Sequence, residues 1–407
     1  MNTIKRTSGL LFYILILLSL TFKTTPAQLK DSLYSEELAP GIVYSKIFRA
    51  SDTLSVNLVK IDLRQGNYYL RAAKARDMLL GREKVSQIAA RFNDSTSEVL
   101  CAVNADFFNM KTGEVENNMV IEGQFLKALQ ITDSPYDSKH TIHSQFAYTY
   151  DNKPLIERFS FQGEVILPDG NKKNIKRINS AADTNSFTLY NFYEGAETPE
   201  IKEATNHCAE VEIKPVLTRA DTFTCVASSS VLLGGKHTIT KGKSILTGLG
   251  SYAAFLEKGV KYGDTLKVIA RLNPYVKGIR TLAGGWPQIV RHGMNISDEV
   301  DSSEGTFPKF SGVKHPRTGI GFSSDSLTIY LIAVDGRQES SSGATLKEFA
   351  NLMLSEGIYE GLNLDGGGST TMVIRGRVVN RPSDKEGERP VGNSLLLIRD
   401  TKTDNQQ

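Results

Sequence analysis

Cysteine is scarce in this chain: Cys101, Cys208 and Cys225 are the whole supply, so one bridge is the most it could make. Cys208 and Cys225 could pair across a short excursion, leaving Cys101 buried in its strand. Six histidines are present, none at zinc-binding spacing, and His140 and His143 sit in a polar stretch. No long basic block interrupts a formal charge of +3, so nucleic-acid binding has no electrostatic footprint. No repeat of fixed period and no low-complexity linker is present. Three motifs are approached and missed. Gly366–Thr371 lacks the lysine of a P-loop, and Ser369 has no strand–turn–helix elbow around it. Gly248-Leu-Gly250-Ser-Tyr-Ala253 lacks the acidic residue about 20 positions on that a dinucleotide site needs.

What is present begins with a targeting pattern. Lys5 and Arg6 precede the apolar run Leu10–Leu20, and Thr25-Pro26-Ala27 ends it with small residues. The run is short for a membrane span and predicts a secretory signal peptide over 1–27. Export to the periplasm or beyond follows, with no stable membrane anchor. Hydrophobic content of 40% and charged content of 23% describe a soluble core-bearing protein. One domain over 28–400 and a disordered tail over 401–407 are expected. Short strands such as Val56–Leu63, Tyr68–Ala72, Val211–Val216 and Thr265–Ala270 dominate, with helical patterning at Lys84–Phe92 and Ser251–Lys258. The expected class is α+β: a large mixed β-sheet core, few helices, and a C-terminal strand–helix–strand unit.

That unit carries the chemistry. Leu327–Val334 reads as a fully buried strand and ends in Asp335-Gly336-Arg337. Thr345-Leu-Lys-Glu348 is a capping-box signature, and Leu346, Phe349, Ala350, Met353 and Leu354 fall on one helix face. Gly361–Leu364 then starts a strand that ends in Asp365-Gly366-Gly367-Gly368-Ser369-Thr370. Parallel strands would bring Asp335 and Asp365 to one sheet edge. Successive glycine amides beside a carboxylate suggest an anion cradle. Val99–Val103 makes the same gesture, ending in Asn104-Ala105-Asp106. Three strands ending in Asn or Asp point to a convergent polar site; the alternative is ordinary turn chemistry. No metal motif demands a cation, although clustered Asp106, Asp335 and Asp365 would allow a divalent one.

Lys314-His315-Pro316-Arg317-Thr318 supplies an arginine, whose planar fork suits phosphate oxygens. The bland alternative is a salt bridge from Arg317 to Asp335 or Asp365. Gly284-Gly285-Trp286-Pro287 holds the single tryptophan, placed either as a stacking platform for a sugar or as packing.

In order along the chain, Asn104-Ala-Asp106-Phe-Phe108, Gly284-Gly-Trp-Pro287, Pro316-Arg-Thr318, Asp335-Gly-Arg337 and Asn363-Leu-Asp365-Gly-Gly-Gly-Ser369 are followed by Pro382-Ser383-Asp384, Arg389-Pro-Val391 and the Ser394–Ile398 strand. Together they resemble the phosphodiester glycosidase family, most strongly over 284–398. Asn104-Ala-Asp106 stands where family members often show Asn-Gly-Gly. The resemblance implies hydrolysis of a sugar 1-phosphodiester, with α-linked N-acetylglucosamine as the sugar, on a cell-surface or environmental glycan. The expected catalytic carboxylates are Asp365 and Asp335. Asn104, Asp106, Arg317, Thr318, Arg337, Gly366, Gly367, Gly368, Ser369 and Thr370 are the expected substrate and phosphate contacts. The competing readings are a non-catalytic carbohydrate-binding or exopolysaccharide-assembly protein, and a phosphodiesterase that breaks the P–O bond.

Overall fold

The computed structural model describes residues 31–137, 139–201 and 207–401. The predicted leader and residues 402–407 lie outside them. The fold is mainly β, with 45% strand against 11% helix, which overturns the α+β expectation. The sheets are hardly mixed either. Lys172–Ile178 with Phe187–Asn191 is the one parallel pair among the described residues. Where consecutive strands pair, tight turns often join them, as between Arg219 and Thr222, and such connections make antiparallel pairs.

An eight-stranded sheet runs in the order Ser32–Ala39, Ile42–Arg49, Leu54–Asp62, Thr328–Val334, Arg317–Phe322, Glu360–Leu364, Gln288–Arg291, Met294–Asn295. A five-stranded sheet is built on Ser97–Asn104, with Met372–Ile374 on one side and Asn393–Asp400 on the other. The two share one core: Ile61, Ile320, Leu331 and Leu364 meet Leu70, Val103, Met372 and Leu395. On the other face of the larger sheet lies the helix Leu346–Ser355, with Phe349 and Met353 packed on Leu58 and Ile332. Covered on both faces, Thr328–Val334 is buried throughout rather than alternating. The helix starts at the predicted capping box: Thr345 Oγ1 accepts from the Glu348 amide at 3.1 Å, and Glu348 accepts from the Thr345 amide at 2.9 Å.

The third sheet closes on itself. Ser160–Ile166, Thr265–Asn273, Thr222–Ala227, Cys208–Arg219, Ser244–Leu249, Phe187–Asn191 and Lys172–Ile178 follow one another, and the last pairs back to the first. Side chains alternate into this barrel, so Thr265–Asn273 buries every second residue. Here the cysteine pairing fails. Cys225 lies opposite Pro215, seven positions along the strand from Cys208. At about 3.3 Å per residue that is roughly 23 Å, far beyond disulfide reach. None of the three cysteines is disulfide-bonded, and all are buried.

The flanking strands Thr328–Val334 and Glu360–Leu364 are not neighbours. Arg317–Phe322 lies between them, antiparallel to both. They therefore point the same way, and the register sets Arg317 opposite Val334 and Thr318 opposite Leu364. One sheet edge thus carries Arg317, Asp335 and Asp365.

Candidate functional site

A cavity of about 370 Å³ opens at that edge. Asp365, Gly366, Gly367 and Gly368 form one side of it, beside His315, Arg317, Arg337 and Arg389. Asn104 holds this arrangement from the neighbouring sheet. Its side-chain amide donates to the Asp365 carbonyl at 2.6 Å, and its oxygen accepts from Thr318 Oγ1 at 2.8 Å and the Thr371 amide at 3.0 Å. Asn104 and Thr318 are buried and bonded to each other, so both act as braces between the sheets, away from the cavity lining.

Asp365 is half-buried and faces the cavity. Burial pushes its carboxyl up to about 6, against the opposing pull of the Ser369 hydroxyl, the Arg389 charge and the Gly366 amide. Ser369 is fully buried and itself accepts from Arg389 Nη1 at 3.4 Å. The cradle of three bare amides is not open as expected. The Gly366 amide serves the Asp365 carboxylate, and the Gly367 amide donates to the Pro316 carbonyl at 2.9 Å. The glycines are needed for proximity instead. A Cβ at Gly366 would sit 2.6 Å from the Pro316 carbonyl oxygen, and one at Gly368 would strike Arg389 and Asp384.

The anion-attracting groups are the arginines. Arg317 is 1% exposed, and its Nε and Nη2 donate to the carbonyls of Ala344, Phe310 and Val313 at 2.8–3.2 Å. Neither Arg317 nor Arg337 has an ion-pair carboxylate among the described residues, so the expected bridge from Arg317 to Asp335 or Asp365 does not form. Burial, with Arg337 adding to it, pulls Arg317 down to about 9. Arg337 adopts φ 59° and donates Nη2 to His315 Nδ1 at 3.1 Å. His315 is pulled below the usual imidazole range by burial and then by Arg317. Arg389, held by Asp384 at 2.7 and 2.9 Å, adds a third guanidinium.

Asp335 shares the edge but not the cavity. Its carboxylate accepts from Ser55, Asn380 and the Arg381 amide at 2.8–3.2 Å and is spent there. Burial raises it, and those hydrogen bonds pull the other way. Asp106 lies wholly buried behind the site, held by the Asn117 amide at 3.1 Å and its side chain at 2.7 Å, with burial pushing it up to about 7. A Cβ on Gly284 would run into its carboxyl group, which accounts for glycine there in the Gly284-Gly-Trp-Pro287 turn. Thr370 is buried and holds Asn380 through its carbonyl at 3.0 Å. No group of three His, Cys, Asp or Glu placed to hold a metal occurs among the described residues, so Asp106, Asp335 and Asp365 do not form a cation cluster.

Trp286 is packing rather than an open platform. Phe310 and His143 stack on it at 4.9 and 5.0 Å, and its indole N–H donates to the Glu304 carbonyl at 2.7 Å. Two site groups escaped the sequence reading. Arg389 was visible only as part of a motif. Glu116, buried and electrostatically coupled to Asp106 and Asp365, lies in a polar loop with no periodic pattern to flag it. Burial, reinforced by those two carboxylates, lifts it to about 8.

Asp106, Glu116, Glu194, Asp335 and Asp365 thus titrate in the fold above their ordinary 3.8–4.5. Raised values mean a stability contribution present below the unfolded values and lost as pH rises through the folded ones. The unfolding midpoint in urea should therefore fall between about pH 4 and pH 8. Glu116→Gln should flatten the upper half of that decline. An unchanged slope would mean Glu116 carries no such burden.

Residues 226–398 match the model of the phosphodiester glycosidase family, which bears out the resemblance drawn from the ordered motifs. Asn104 and Asp106 fall outside the matched segment. Over 166 residues, 39% of this chain and 28% of the relative, the chain is 30% identical to the N-acetylglucosamine-1-phosphodiester alpha-N-acetylglucosaminidase of Mus musculus. Over 94 residues, 23% of this chain and 14% of the relative, it is 40% identical to the SPbeta prophage-derived uncharacterized protein YomE of Bacillus subtilis (strain 168). The chain therefore aligns with less than a third of the length of either curated relative. The fold also recurs in a solved protein of Burkholderia pseudomallei K96243, with TM-score 0.66 over 91% of this chain and 97% of that one at 19% identity. No helix among the described residues is long and apolar enough to cross a membrane.

Proposed function

We propose that this chain is an exported hydrolase that cleaves a glycosyl 1-phosphodiester between C1 and oxygen, with α-linked N-acetylglucosamine as the glycosyl group. The observation that carries the reading is the pairing of a cavity-facing carboxylate, Asp365, with Arg317 and Arg337, two cations that have no ion-pair carboxylate among the described residues. Arg317 is buried with carbonyl partners alone; a buried charge without a counter-charge costs several kcal/mol, and an anionic ligand relieves that cost. The phosphodiester anion lies against the three guanidiniums. As the C1–O bond breaks, its electron pair passes to the phosphate oxygen, and the arginines stabilise the monoester that departs. The Asp365 carboxylate faces the positive charge growing on the sugar and takes a proton from the water whose oxygen joins C1. The phosphate is a good leaving group, so a strong acid on the other side is not required.

Hydrolysis of an α-N-acetylglucosamine 1-phosphate methyl ester in oxygen-18 water tests the reading. Label in the free sugar is expected. Label in the phosphate would convert the enzyme to a P–O phosphodiesterase, and saturable binding without turnover would make it a carbohydrate-phosphate receptor.

A further inference from the structure

The cavity lining is of two unlike kinds. Beside the arginines and Asp365, the lining includes Phe107, Phe108, Met110, Tyr136, Phe307 and Phe310. Of these, Met110, Tyr136 and Phe307 are 43%, 49% and 38% exposed. Single exposed apolar side chains are ordinary on any surface. These three come from three separate stretches of chain, near residues 110, 136 and 307, and meet at one opening, which is the pattern of a ligand surface. The inner members have packing duties. Phe107 lies edge-on to Trp286 at 5.7 Å, and Phe310 stacks on Trp286 beneath the Arg317 guanidinium. The outer three contribute little to that core.

The apolar lining also lacks hydrogen-bonding groups. Among its six residues the Tyr136 hydroxyl is the one polar side-chain atom. A second sugar lying there would lose water from several hydroxyls and regain few partners, at a cost for each. A hydrocarbon gains on the same surface, by roughly 0.8 kcal/mol for each methylene buried.

We propose that the alcohol esterified to the phosphate is apolar: the substrate is a glycosyl 1-phosphate ester of an alkyl or prenyl alcohol. Its phosphate rests on the arginines and its chain leaves the cavity over Met110, Tyr136 and Phe307. The proposal rests on the reading of Asp365 and the arginines as a glycosyl phosphodiester site. It adds the class of leaving group, which that reading leaves open.

The test compares methyl, decyl and glucosyl esters of α-N-acetylglucosamine 1-phosphate. The decyl ester should exceed both others in kcat/KM by about 10–100-fold, as two to three buried methylenes provide. Met110→Ser combined with Phe307→Ser should bring the decyl-to-methyl ratio towards one. Equal rates on decyl and methyl esters, or a glucosyl ester cleaved best, would overturn the proposal. Calorimetry with decyl phosphate and methyl phosphate keeps the two readings separable. Tighter binding of decyl phosphate, lost in the double variant, supports the apolar subsite even if no ester is cleaved, whereas equal affinities refute it. A prenyl ester held in phosphatidylcholine vesicles, set against the dissolved decyl ester, distinguishes a membrane lipid from a free amphiphile as the source of the chain.

Discussion

Asp365→Asn should lower kcat on an α-N-acetylglucosaminyl 1-phosphodiester by about 10²–10⁴-fold, the range expected when a positioned proton acceptor is removed. The fold should survive. The backbone of Asp365 is fixed independently of its side chain: its amide donates to the Ala105 carbonyl at 2.8 Å and its carbonyl accepts from Asn104. The side chain is a burden at neutral pH, because burial has raised it to about 6 and it is charged above that. An amide removes that charge, so the urea midpoint at pH 8 should hold or rise. The same acidity sets the pH profile. If Asp365 acts as the base, kcat/KM of the parent rises as pH passes about 6; an acid role reverses the slope. Turnover within tenfold of the parent would remove Asp365 from the mechanism and leave it a loop anchor beside Ser369.

How far the sequence announced this site depends on what each residue answers to. The strand Thr328–Val334 and the helix Leu346–Ser355 were legible because burial on two faces and a capping box are local patterns, written in consecutive residues. Asp365 was legible for the same reason, at the end of an apolar run and before three glycines. The fold class was not. The helix between two parallel strands suggested an α/β element, but Arg317–Phe322 threads between those strands and turns the sheet antiparallel. No local pattern declares which strand takes that place. Nor does sequence distinguish Asp335 from Asp365. Both follow apolar strands at one edge, yet Ser55, Asn380 and Arg381, distant in sequence, take up the Asp335 carboxylate. Asn104 likewise reads as a ligand and proves to be a brace. Glu116 and the aromatic lining gather from separate loops, and only the folded chain brings them together.

Arg337→Ala should cut kcat/KM on the phosphodiester by about 10²–10³-fold, as loss of one donor to developing negative charge does. On 4-nitrophenyl α-N-acetylglucosaminide, whose leaving group carries no phosphate, the same change should cost only a few-fold. The contrast isolates phosphate recognition from general damage. Arg337 suits this test because its guanidinium donates to the His315 side chain and to no backbone carbonyl among the described residues, so truncation leaves little of the frame unsupported. Arg317→Ala should show the same selectivity together with a fall in stability. Its guanidinium is the donor to three carbonyls in the segments around Phe310, Val313 and Ala344. The Ala344 carbonyl keeps the His315 amide at 3.1 Å, but the Phe310 and Val313 carbonyls lose this donor, and one left buried and unpaired costs about 1–3 kcal/mol. The pair of variants thus separates two functions of the arginines: Arg337 loses activity at constant urea midpoint, and Arg317 loses both. Equal losses on the two substrates in both variants would mean that the guanidiniums support the loops around the cavity and do not receive the phosphate. Selective loss in both would place the phosphate between them, on the side of the cavity where Asp365 faces the sugar.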